Sequence, residues 1–125
     1  MRLLMALLFG MAVMAAASVN AGAQTEGEPR PPASFGSCIS CHSVKAGVVT
    51  FGPNLRGVVG RRAGSLDGYA FSEALKAADF TWDAEQLDAW ITNPKHVVAG
   101  TKMPFPGLPY PDRRQEIIAY LSSLK

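Results

Sequence analysis

Cysteine is scarce: the 125-residue sequence holds two, Cys38 and Cys41, set three positions apart. Such a pair cannot staple distant segments, which excludes a disulfide-framework domain. Neither sign of charge dominates. Twelve Lys and Arg stand against ten Asp and Glu, for a formal charge of +2. There is no general attraction to polyanions, and nucleic acid is not an expected partner. No segment alternates apolar and polar residues over the length of a strand. No Asn-Gly or Asp-Gly turn stands between β-branched runs, so sheet is not expected. No internal repeat is present, and the length allows one domain only.

Charge is also nearly missing from the start of the chain, where Arg2 stands alone before Glu26. After Arg2 comes an apolar run, Leu3 to Val19, and then Ala21-Gly22-Ala23. A positive start, an apolar stretch and an A-x-A ending predict a secretory signal peptide over residues 1–23, cut after Ala23. The competing reading is a retained membrane anchor. The run sits at the lower edge of what a transmembrane helix needs, and Gly10 and the small residues from Ala15 onward weaken that reading. On either reading the working domain lies outside the cytoplasmic membrane, and a periplasmic location is expected. Residues 24–32 are polar and proline-rich, a flexible leader. The domain proper is expected over 33–125.

What is abundant is glycine and proline, 12 and 9 residues, so loops must occupy much of this domain. Helical signals lie between them. Asp83 can cap a helix to Asn93, with Gln86 three residues on, Leu87, Trp90 and Ile91 on one face, and Pro94 at its end. Pro111 suits the first position of a helix to Leu124, where Ile117, Ile118, Leu121 and Leu124 form a stripe beside Tyr120. Ser72 can cap a short helix to Ala77, and another is expected from Ala33 through Cys41. From Ser43 to Tyr69 the chain is glycine-rich with almost no helical period, and reads as loop. The expected fold class is all-α, with three to four short helices and long loops. Loops this long are uncommon in a compact domain unless they bind something. A bulky prosthetic group would account for both the loops and the small core.

Cys38-Ile39-Ser40-Cys41-His42 is C-x-x-C-H, the signature of covalently attached c-type haem. On a helix, residues three apart share a face, so two thiols can reach the two vinyl groups of one porphyrin. The next residue then offers an imidazole to the iron. A redox-active disulfide of the thioredoxin type would require a C-x-x-C at a strand end within a βαβ pattern, and no such pattern surrounds it.

From Phe35 to Leu124 the chain resembles a class I cytochrome c, the soluble mono-haem type of mitochondria and the bacterial periplasm. The resemblance rests on an ordered set of motifs. After C-x-x-C-H come Gly52-Pro53-Asn54-Leu55-Arg56-Gly57, Gly60-Arg61, Gly68-Tyr69 and Trp82. Trp90-Ile91-Thr92-Asn93-Pro94-Lys95 leads to Gly100-Thr101-Lys102-Met103-Pro104-Phe105, and Ile118-Ala119-Tyr120-Leu121 closes the set. The resemblance implies one haem c, with its iron, held through Cys38 and Cys41. It implies His42 and Met103 as axial ligands. Met103 is the only methionine after the predicted cleavage site, and a thioether is a fitting second donor. His96 stands where relatives usually carry a surface lysine and is expected to be exposed.

The same correspondence gives Pro53 the carbonyl that accepts from His42 Nδ1–H, and Arg61 and Trp82 the propionates. Leu55, Leu87, Trp90 and Ile91 are expected to line the pocket, and Phe105 to lie at the exposed haem edge. The chain also departs from the pattern. Pro31-Pro32 cuts the first helix short, so its crossing with the last helix should be abbreviated. Phe71 stands where relatives often carry a propionate-binding Tyr, and Trp90 replaces another Tyr.

With both axial positions filled, the expected function is electron carriage rather than catalysis, and the protein is not expected to be an enzyme. The partners implied are a quinol–cytochrome c oxidoreductase as donor and a terminal oxidase or a dehydrogenase as the other party. Membrane contact would come only through such partners, and a monomer is expected. Lys95, Thr101 and Lys102 would help docking, with weaker charge steering than the dense lysine ring of mitochondrial relatives gives. The alternative is a haem subunit of a larger periplasmic oxidoreductase or dehydrogenase, which these motifs do not separate from a free carrier. A thiol–disulfide enzyme using Cys38 and Cys41 is a third reading, and it predicts a colourless protein.

Overall fold

The structure, a computed structural model, describes residues 27–125. The predicted signal peptide and the first residues of the leader lie outside them. Pro31-Pro32 holds the chain extended, with Pro32 at φ −68° and ψ 158°. A 3₁₀ turn, Ala33–Phe35, then runs directly into α1, Gly36–Ile39. The helix expected through Cys41 therefore stops two residues early. Its exit is tight: the Cys41 and His42 amides both donate to the Cys38 carbonyl, at 3.1 and 2.9 Å.

Helix α2, Glu73–Lys76, is one turn long, capped by Ser72 Oγ accepting from the Leu75 amide. Helix α3, Ala84–Thr92, has the predicted cap, with Asp83 Oδ1 accepting from the Gln86 amide at 2.8 Å. Pro94 does more than end it. Asn93 is extended, as a residue before proline must be. Its side chain caps a further short helix, α4, Pro94–Val97, in which Pro94 takes the first position. The sequence signal for a stop was also the signal for a start, and α4 was missed for that reason. Helix α5, Pro111–Ser123, closes the chain and buries Ile117, Ile118, Tyr120 and Leu121.

Helices α3 and α5 pack on each other, and α5 also packs on the 3₁₀ turn. That second crossing is abbreviated as the prolines implied. Phe35, fully buried, meets Tyr120 edge to face at 4.9 Å, and Ser34 Oγ donates to Glu116 at 2.8 Å. The glycine-rich loop is pinned by backbone bonds rather than by helix. Gly60 donates to Trp82, Trp82 to Arg61 and Ala63 to Phe80, at 2.7, 2.9 and 2.9 Å. One antiparallel bridge, Arg62 with Thr81, is the only β pairing among the described residues. No helix there is long and apolar enough to cross a membrane. Glu28, in the leader, pairs with Arg56.

Candidate functional site

The helices and pinned loops surround a cavity of about 730 Å³, within the size range of a cofactor site. Ten residues assigned to haem or its pocket in the sequence line it: Cys38, Cys41, His42, Pro53, Leu55, Arg61, Trp82, Trp90, Met103 and Phe105. Leu87 and Ile91 line it too. His96 does not; it is exposed on α4.

The exit from α1 swings His42 into the cavity, where Nδ1 lies 2.7 Å from the Pro53 carbonyl. A carbonyl can only accept, so Nδ1 carries the proton and Nε2 is left free for a metal. Burial holds the imidazole below its usual pKa, and the bond to Pro53 offsets this in part. Both the tautomer and the neutral form suit ligation. Close approach explains why position 52 is glycine. A Cβ there would stand 2.6 Å from His42 Cε1 and Nδ1, and the Gly52 amide already donates to the Cys41 carbonyl at 2.7 Å.

The two thiols share this wall and are unpaired. Burial pushes the Cys38 thiol up; a hydrogen bond with Ser37 offsets this in part, and neighbouring Cys41 adds a smaller upward push. A thiol–disulfide enzyme needs the opposite shift, towards thiolate. Trp82 and Trp90, both buried, meet edge to face at 5.1 Å, and Phe80 abuts Trp82 at 4.8 Å. Arg61 directs its guanidinium to the carbonyls of Asn54 and Arg56, at 2.8 and 2.5 Å, and so is a partly sequestered cation at the cavity edge.

Two features escaped the sequence. Tyr69 brings a hydroxyl to the wall two residues from Phe71, packed edge to face on it at 4.7 Å. That hydroxyl donates to the Phe51 carbonyl at 3.1 Å. Phe51 itself lines the cavity yet is 88% exposed. The Gly68-Tyr69 motif marked the first; nothing local marked the second. Lys102, expected to be a free docking charge, instead donates to the Ala70 carbonyl with Nζ 4.9 Å from the Tyr69 ring centroid.

Two thiols at C-x-x-C-H spacing, an imidazole with a free Nε2, a thioether and aromatic walls fit haem c and its iron. A helical shell built around such a cavity defines a c-type haem protein. Residues 32–125 match the cytochrome c family. A cytochrome c2 iso-2 from Magnetospirillum fulvum is 48% identical over 94 residues, 75% of this chain and 97% of the relative. A cytochrome c2 from Rhodomicrobium vannielii is 42% identical over 119 residues, 90% of this chain and 93% of the relative. Among solved structures, cytochrome cH from Methylobacterium extorquens superposes with a TM-score of 0.69 at 47% identity, covering 72% of this chain and 91% of that one. The chain belongs to the cytochrome c family, as a class I mono-haem member with haem c attached through Cys38 and Cys41.

Proposed function

We propose that the protein is a periplasmic electron carrier with His42 and Met103 as the axial ligands of its haem. The observation that carries this is that both donors line one cavity, Met103 being the only methionine among the described residues. The haem supplies a one-electron Fe(III)/Fe(II) couple. The chain's own residues do the rest. Pro53 keeps His42 in the ligating tautomer. Thr101 Oγ1 accepts from the Met103 amide at 3.3 Å, and Trp82, Trp90 and Leu87 keep water from the wall. With His42 and Met103 both holding the iron, no coordination site would be open to a substrate, which favours carriage over catalysis.

The likeness to cytochromes c2 over nearly their whole length supports the carrier reading over a haem subunit of a larger periplasmic oxidoreductase or dehydrogenase. Export follows from the leader over residues 1–23. A quinol–cytochrome c oxidoreductase as donor and a terminal oxidase as acceptor fit this role. The test is the oxidised spectrum. Wild type should show the weak far-red charge-transfer band of an Fe(III)–thioether bond. Met103→Ala should lose it, and its reduced form should bind carbon monoxide. A band that survives in Met103→Ala would overturn the ligand assignment.

A further inference from the structure

Between Gly100 and Tyr110 the chain crosses the cavity wall without helix, carrying Met103 and Phe105. Its backbone bonds sit at the two ends only. The Thr101 amide donates to Val98 at 3.0 Å, and the Leu108 amide donates to Ile91 at 2.8 Å. From Lys102 to Gly107 there is no backbone–backbone bond, only the side-chain contacts of Thr101 Oγ1 with the Met103 amide and of Lys102 with the Ala70 carbonyl.

The downstream point is built on one side chain. Arg114 of α5 donates from Nη1 to the Leu108 carbonyl at 2.9 Å, and from Nε to Asp88 Oδ1 of α3 at 2.8 Å. Gln115 Nε2 donates to the same Asp88 oxygen at 3.3 Å. Gly107 closes the joint, since any Cβ there would run into the Thr92 carbonyl. Arg114 is 8% exposed, the one buried charged side chain among the described residues. The pair is only part-buried in the helix–helix seam, with the Asp88 side chain 35% exposed. Such a pair is poorly explained by stability, because its net worth is small and apolar residues commonly serve as well at a buried position. What a guanidinium supplies, and an apolar side chain cannot, is a rigid fork joining three segments at once.

We infer that Arg114 is a positioning residue for Met103. Through the Leu108 carbonyl it fixes the end of the loop and limits withdrawal of the thioether from the iron. Arg114 is not part of the cavity wall, so it acts only through the loop. The inference rests on the reading of Met103 as a ligand.

The test uses the oxidised holoprotein with imidazole as probe, which reaches the iron only when Met103 has left. Its apparent affinity is therefore scaled by the fraction of molecules in the open form. Arg114→Met keeps the bulk and removes both donors, and should raise imidazole affinity about tenfold. Arg114→Lys, a point donor that cannot span both partners, should fall between Arg114→Met and wild type. Ile118→Val trims a buried side chain of the same helix that takes no part in the Asp88–Arg114–Leu108 bonds, and should leave the affinity within about twofold. An Arg114→Met protein that unfolds more easily but binds imidazole within about twofold of wild type would show a merely structural role. So would an Ile118→Val protein that gains as much affinity at equal loss of stability. Should Arg114→Met not fold, Asp88→Ala, which removes the acceptor that holds Nε, decides by the same comparison, with a rise expected and no change overturning the inference. Failure of the ligand reading is separate: the far-red band would then be missing from wild type itself.

Discussion

His42 Nδ1 donates to the Pro53 carbonyl at 2.7 Å, across eleven residues of chain. That bond exists because the chain between them doubles back tightly enough to lay Gly52 against the imidazole ring. Gly52→Ala should therefore force the ring or the loop to move. Overpacking of this kind costs about 2 kcal/mol, a fall in Tm on the order of 10 °C for a domain of this size. Gly36→Ala, where a Cβ meets nothing within 4 Å in a helix, should leave Tm unchanged or raise it slightly. Thermal melts of the two holoproteins check the contrast.

Covalent attachment is testable on a denaturing gel. Wild type should keep its haem stain, and the Cys38→Ala, Cys41→Ala double variant should lose it. Each single variant should retain a thioether and some stain.

Met103→His should stay six-coordinate yet titrate at a lower potential than wild type, because a thioether favours Fe(II) relative to an imidazole. His96→Ala, altering an exposed residue outside the cavity, should shift neither the potential nor the spectrum. Redox titrations of the three proteins decide the point.

Charge steering should be weak. Arg62 pairs with Asp79, Lys76 with Glu73 and Arg56 with Glu28. Lys102 is turned onto the Ala70 carbonyl. The electron-transfer rate constant with an acidic protein partner should fall less than about tenfold between low salt and physiological ionic strength. Lys102→Ala should change it by less than about twofold. A steep salt dependence in stopped-flow traces would contradict both.

Phe35 is the chief anchor of the shortened N-terminal segment on α5, fully buried against Tyr120. Phe35→Ala should cost about 3–5 kcal/mol, read by denaturant unfolding. The loss should exceed that of Val58→Ala, a smaller buried side chain in the pinned loop.

Much of the site was legible because its chemistry is local or ordered along the chain. The C-x-x-C-H spacing needs only one turn to bring Cys38, Cys41 and His42 together, and the caps at Ser72 and Asp83 act over three residues. Helix α4 was hidden because Pro94 carries opposite meanings for the residues before and after it, and only the cap from Asn93 chooses between them.

The sequence by itself determined the attachment chemistry, the donors available to an iron and the helical periods of α3 and α5. These depend on residue identity and short spacing. The tertiary structure alone decided that Gly52 meets the His42 ring, that Tyr69 bonds the Phe51 carbonyl, and that Lys102 donates to the Ala70 carbonyl. It also decided that Arg114 joins Asp88 to Leu108. Each of these contacts links segments with no local pattern in common. A guanidinium on the polar side of a helix reads as a solvated charge until packing shows which carbonyl lies beneath it.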